Sequence, residues 1–301
     1  MRLGINMPYV DNDGNPLDAA GVGDRARMVE EAGLDGIWLQ DSLDPGEWRP
    51  DPFLWLLAAA ATTTRLELGT AVYLLPVHNP VDSAQRFLTL QALSNDRLTV
   101  GVGTGSRPQA HNTMGTDFAT RFSRLYHDVD VVRRLSRGET VGEANLNPWS
   151  KVRGGPRIAL GAWHSEKSLS RAARDFDGWI CSASRTSLEV VREGITRYRE
   201  LGGTRAIIAS TWIDLDASTT KVNDDDPFSL RCSPEDAKRR LGILEELGFD
   251  DVTLMFGRGS AGVRKRQMDY TFEDLVAIRK LLPADSRRPW NEQRETEHVG
   301  A

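Results

Sequence analysis

The sequence predicts a single closed (β/α)8 barrel. Short β-type segments and helical segments alternate eight times, one helix-to-strand joint recurs, and extra length collects after particular strands. The strand segments fall at 2–6, 36–39, 66–72, 97–102, 157–161, 178–182, 206–213 and 251–255. Helices are predicted between them at 18–32, 51–63, 80–93, 119–136, 165–175, 186–201, 234–247 and 271–282. Phe122, Leu125, Val129 and Val132 repeat at helical spacing, as do Leu188, Val191, Ile195 and Tyr198. The joint reads Ala-Gly-Leu-Asp-Gly-Ile-Trp-Leu at 32–39, Arg-Asp-Phe-Asp-Gly-Trp-Ile-Cys at 174–181 and Leu-Gly-Phe-Asp-Asp-Val-Thr-Leu at 247–254. Gly33 and Gly248 stand where a helix end takes a left-handed residue, and Leu34 and Phe249 can fold back on the last turn. An open doubly wound sheet normally has a glycine-rich turn after its first strand; here that turn is Pro8-Tyr9-Val10-Asp11.

The barrel is expected to span 1–284, followed by a polar tail at 285–301. Extra length lies at 103–118, 139–156, 214–232 and 256–270. The first, third and fourth of these follow strands, so in a barrel they lie on the C-terminal face, where barrel active sites are built.

Composition narrows the function classes. Of the 301 residues, 40% are hydrophobic and 27% charged, which is globular rather than disordered. A net charge of −5 argues against nucleic-acid binding by bulk electrostatics. Cys181 and Cys232 are too few for a disulfide framework or an all-cysteine zinc site, and suit a reducing, cytoplasmic compartment. The apolar run 53–61 falls well short of the roughly 20 residues that span a bilayer. The strand-like pattern starts at residue 2, so no signal peptide is expected. His-x-x-x-His, phosphate-loop and Gly-x-Ser-x-Gly motifs are absent, and the five histidines are scattered, so neither a metal hydrolase nor a serine hydrolase is supported.

The candidate chemistry sits at strand ends. Asp41 and Ser42 close the second strand, where a side chain either meets a ligand or caps the next loop. The third strand runs through Ala71 and Val72 to Pro76-Val77-His78-Asn79-Pro80; small residues there admit a flat ligand, and His78 reads as a loop hydrogen-bonder. Gly101, Gly103 and Gly105 alternate at the end of the fourth strand, around Thr104, and are expected to leave open space above the barrel. After the fifth strand, Gly161, Ala162, His164 and Ser165 lead into a helix whose free N–H groups can hold an anion, with Ser165 as its N-cap. The loop 256–266, with Arg258, Arg264, Lys265 and Arg266, is either an anion site or a solvated charge run.

Taken together and in order, these segments resemble the luciferase-like flavin- and deazaflavin-dependent oxidoreductases. The resemblance runs from residue 1 to about 256 and includes the 30–38 joint, Asp41, 68–80, Leu93-Ser94-Asn95-Asp96-Arg97-Leu98, 101–105 and 176–180. It implies a usually dimeric barrel that binds FMN or the deazaflavin coenzyme F420 at its C-terminal face. It also implies a cis peptide at Ala71–Val72, whose bulge supports the tricyclic ring. The cofactor-binding set implied is Asp41, Ala71, Val72, Thr104, Gly105, Gln109, Gly161, Ala162, His164, Ser165 and Arg258, with Asp41 and Ser42 as catalytic candidates. Many members have His where Ser42 stands. The deazaflavin glucose-phosphate dehydrogenases have Glu at the place of Ser106, a departure that counts against sugar-phosphate dehydrogenation, and Asn at that of Gln109.

The leading expectation is F420-dependent hydride transfer to or from a small organic substrate. Arginine supplies 32 of the 38 basic residues, as in the GC-rich genomes common among users of this coenzyme. The alternative is an FMN-dependent monooxygenase fed with reduced flavin by a partner reductase. A second alternative is a non-catalytic flavin-binding barrel.

Overall fold

The computed structural model describes residues 1–43, 48–163, 165–219, 223, 225–257 and 269–283. Its centre is a closed parallel barrel of β1 (Arg2–Asn6), β2 (Gly36–Leu39), β3 (Glu67–Tyr73), β4 (Leu98–Val102), β5 (Arg157–Gly161), β6 (Gly178–Ser182), β7 (Ala206–Asp214) and β9 (Asp251–Phe256). β6 pairs with β7, and β7 and β1 both pair with β9, which closes the ring. The helices that alternate with these strands are α1 (Ala19–Glu31), α2 (Pro52–Ala60), α3 (Pro80–Leu93), α5 (Arg121–Ser136), α6 (Glu166–Asp175), α7 (Leu188–Glu200), α8 (Pro234–Glu246) and α9 (Phe272–Arg279). The eight predicted pairs are all present, with ends shifted by up to three residues.

Besides two short 3-10 turns at Leu75–Val77 and Ser150–Val152, one helix and one strand among the described residues escaped the periodicity. The connection after β4 contains the six-residue helix α4 (Pro108–Thr113), and the one after β7 contains β8 (Ser229–Arg231), which lengthens the sheet along the end of β7. Neither is long enough to show an apolar repeat. One predicted face also differs: Leu125, Val129 and Val132 are buried, whereas Phe122 is 49% exposed and lies beneath the Arg121 guanidinium.

The joints form for the reason the sequence suggests. Gly33 and Gly248 have φ of +85° and +94°, and Leu34 and Phe249 donate back to Val29 and Leu244 from buried positions. The Ser-Asn-Asp-Arg segment is structural. Asn95 and Asp96 take left-handed conformations, and buried Arg97 donates to the carbonyls of Ser94, Leu66, Ala60 and Thr63.

Most of the core lies between the strands and the helices. Inside the barrel a second cluster packs Trp38, Ala71, Ala159, Ile180, Ile207 and Ala209, with Val72 against it. A Cβ on Gly4, Gly36 or Gly69 would come within 3.2 Å of the Trp38 ring, so these glycines make room for the indole that fills the barrel. Below this plug, at the N-terminal end, Glu67 is 1% exposed and takes both Arg205 guanidinium nitrogens at 2.9 Å and Arg2 at 2.7 Å. Arg205 and Arg2 also pair with Asp251.

Candidate active site at the C-terminal mouth of the barrel

The site is built around a break in β3. Its pairing with β4 shifts between Thr70 and Tyr73, and the Ala71–Val72 peptide is cis, as the resemblance implies. Ala71 faces the barrel interior in the Trp38 cluster, and half-buried Val72 sits above it. A Cβ on Gly103 would lie 2.6 Å from Val72 Cγ2, and one on Gly161 would lie 2.5 Å from Val72 Cγ1. The notches left by two glycines on neighbouring strands therefore hold one valine. This corrects the expectation of open space. The room at 103 and 161 is taken by Val72, and that at Gly101 by the Thr70 carbonyl and Ile180.

Asp41 ties β2 to this bulge. Its N–H donates to the Val72 carbonyl, and its carboxylate accepts from Leu74 N–H at 3.1 Å. The same oxygen meets His78 Nε2 at 2.8 Å, and the carboxylate side chain is 6% exposed. The His78 ring stacks on Tyr73 with centroids 4.5 Å apart and planes 8° from parallel. The Tyr73 hydroxyl donates to Ser83 Oγ, and burial pushes it well above the ordinary tyrosine range. The reading of His78 as a hydrogen-bonder holds, but its partner, 37 residues away, had no signal in the sequence. Ser42 is half-buried beside Asp41.

The turn after β4 is held from behind. His111 is fully buried on α4, and its Nε2–H donates to the Thr104 carbonyl at 2.8 Å while Nδ1 pairs with the Thr116 hydroxyl. Gly105 follows with φ +72°. Gln109, on α4, is exposed. The β4–β5 register sets Val102 against Leu160, which brings Gly103 and Thr104 beside Gly161 and Ala162. Ala162 is fixed by two bonds to β6, its N–H to Ile180 and its carbonyl from the Trp179 indole. Ser165 caps α6, accepting from Ser168 N–H. Trp163 is 58% exposed just before it. His164 and Arg258, with the rest of the basic loop, lie outside the described residues.

Across the mouth the lining changes character. Gln40, at the end of β2, donates to Ser210 Oγ of β7 at 2.8 Å, and accepts from Arg49 at 3.2 Å. Ser210 has φ +59° at a register shift between β7 and β9. Gln40, Ser210 and His111 went unnoticed in the sequence, because none stands in a motif and their partners come from other segments.

The mouth therefore pairs an apolar shelf, level with the strand ends, with a polar wall. The luciferase-like monooxygenase family model matches residues 1–209, more than half of the chain. The protein belongs to that family. Among curated relatives, the F420-dependent glucose-6-phosphate dehydrogenase of Kineococcus radiotolerans is 34% identical over 200 residues, covering 57% of each chain. This chain spans only 52–57% of the length of the first such relatives. Among solved structures, the monooxygenase RslO1 from Streptomyces bottropensis superposes with a TM-score of 0.71 at 20% identity, over 93% of this chain and 97% of its own. The FMN complex of the oxygenating constituent of 3,6-diketocamphane monooxygenase from Pseudomonas putida gives 0.69 at 17%, over 92% and 97%. These likenesses agree with the fold. No helix among the described residues is long and apolar enough to cross a membrane.

Proposed function

We propose that this chain is an oxidoreductase that binds the deazaflavin coenzyme F420 at the C-terminal mouth and moves a hydride to or from a small organic substrate. The observation that carries the reading is the Val72 shelf, a small apolar platform flanked by two strand ends that carry no side chain. A flat tricyclic ring fits such a platform, and the N–H groups at the start of α6 suit an anionic arm. Ala71 and Val72 would support one face of the ring, with Asp41 at its edge. Thr104, Gly105, Gln109, Gly161, Ala162, His164 and Ser165 would line the arm. When bound, the coenzyme supplies the hydride chemistry; the protein's share is orientation and electrostatics.

The relatives named for F420 favour this coenzyme over FMN. So does the basic loop around Arg258, which suits a tail of several carboxylates better than a single phosphate. Exposed ion pairs are each worth roughly 0–1 kcal/mol and weaken with salt. The test is to titrate the protein with F420 and with FMN at low and high salt, in the wild type and in Arg258→Ala/Arg264→Ala. We expect tighter F420 binding, reduced a few-fold by salt or by the double substitution. Tighter FMN binding would favour the monooxygenase reading, in which a partner reductase supplies reduced flavin. Binding of neither would end both readings. The homodimer and the cytoplasmic location are proposals on the family resemblance; light scattering of the purified chain tests the first.

A further inference from the structure

His78 and Asp41 sit together at the bulge with an arrangement that goes beyond holding a loop. A carboxylate acceptor calls for a donor, so the Nε2 that faces Asp41 carries a proton. In the neutral tautomer with that proton, the lone pair is on Nδ1. Nδ1 has no hydrogen-bond partner among the described residues and is not among the enclosed polar atoms, while the side chain is 14% exposed. Two contacts fix the ring: the 2.8 Å bond to Asp41 and the parallel stack on Tyr73. Tyr73 is itself anchored through Ser83, whose hydroxyl donates to the Asn79 carbonyl. A ring held by a carboxylate on one nitrogen and open at the other has the geometry of a positioned proton acceptor.

We propose that Asp41 and His78 form a proton-handling dyad for the site, with His78 Nδ1 as the proton acceptor and Asp41 as its positioning residue. The proposal rests on the oxidoreductase reading above. In the oxidation of a carbinol substrate, its C–H bond breaks and the electron pair leaves with the hydride for the oxidised deazaflavin. Its O–H bond breaks and the proton goes to Nδ1. A C=O bond forms, and the imidazolium remains paired with Asp41. In the reductive direction the same proton returns to the oxygen. The charged and titratable groups around the ring are Asp41 from β2, Tyr73 from β3, Arg86 from α3 and Asp51 at the start of α2, the last two interacting with the Tyr73 face.

The test is histidine NMR on the intact, 15N-labelled protein, which has five histidines. Long-range 1H–15N correlations report which ring nitrogen carries the proton. His78 is assigned with His78→Gln, whose amide can still donate to Asp41 but has no basic nitrogen; if that variant does not fold, substitution of the other four assigns His78 by elimination. We expect the Nε2–H form at neutral pH, with that preference lost in Asp41→Ala. Adding oxidised F420 should shift the His78 ring signals and leave those of His127, whose side chain is 72% exposed, in place. Coenzyme binding is followed in the same titration by its fluorescence. An Nδ1–H form, or coenzyme binding that leaves His78 unmoved, overturns the dyad alone. Binding of neither F420 nor FMN overturns the functional reading and the dyad with it.

Discussion

The two ends of the barrel solve opposite problems. At the N-terminal end Arg2, Glu67, Arg157, Arg205 and Asp251 are all no more than 9% exposed, and their charges are arranged against one another. Thr99 adds a hydroxyl to Glu67. At the C-terminal end charges are fewer, with Asp41 on His78 and Arg49 on Gln40, and most contacts hold single side chains in place, as Gln40 does with Ser210 and the glycines with Val72. The lower end is a buried network of paired charges. The upper end spends its glycines and cross-barrel bonds on the shape of a surface that stays accessible. Stability is thus expected to depend most on the lower end, and binding on the upper.

The largest effect should come from removing the lower carboxylate. Glu67→Ala leaves buried Arg2 and Arg205 with Asp251 as their remaining shared carboxylate, and breaking such a buried pair costs about 3–5 kcal/mol. Gln40→Ala, at the upper end, should cost about 1 kcal/mol or less. Urea denaturation of the two variants checks the contrast, and similar losses in both would break it.

Acid should reach the same cluster. Burial alone would raise the Glu67 pKa, but Arg2, Arg205 and Arg157 outweigh it and hold the carboxyl well below its ordinary value of 4.5. A depressed carboxyl contributes stability that is fully present above the unfolded value and is lost as pH falls through the folded one. The wild type should therefore lose stability below about pH 4.5. Asp35 works in the opposite sense: burial raises its pKa, so protonation relieves a cost there. Thermal melts of wild type and Glu67→Gln between neutral pH and pH 3 should show a shallower acid loss in the variant.

The fold was legible because it rests on local rules. Helical repeats and joints ending in Gly33 and Gly248 mark where each unit turns, and they are contiguous in the chain. The site was legible only in part. Asp41, Val72 and Gly161 could be singled out because they end strands, yet their relation to one another depends on cross-strand register. Nothing at positions 103 and 161 announces that both glycines face one valine from a third strand. Asp41 and His78 meet through the pairing of β2 with β3, and Gln40 and Ser210, 170 residues apart, only across the closed barrel.

The glycine notches give a prediction in which binding and stability separate. Gly161→Ala puts a methyl group 2.5 Å from Val72 Cγ1, so the valine must move. Overpacking of this kind costs typically about 1–3 kcal/mol, less than the loss of Glu67. Coenzyme affinity should fall tenfold or more, because the displaced atoms form the proposed platform. In Gly161→Ala/Val72→Ala the clashing methyl is gone, and the melting temperature should recover while binding stays weak. Normal binding by the single variant would place the ring away from Val72.

The smallest expected effect concerns Ser210. A β-carbon in the left-handed region is strained by roughly 1–2 kcal/mol, and Ser210 adopts φ +59° within β7. Its N–H is taken by Thr253 Oγ1 at 3.2 Å and its hydroxyl by Gln40, so the conformation is held from both sides. Ser210→Ala and Ser210→Gly both lose the bond to Gln40, but only the glycine relieves the backbone. Their difference therefore isolates the strain, and Ser210→Gly should be more stable than Ser210→Ala by about 1 kcal/mol in paired urea titrations. Equal stabilities would mean that β7 relaxes once the hydroxyl is gone. The strain would then be a consequence of the Gln40 contact rather than a property of the bulge, and the upper end would be shaped by that single bond.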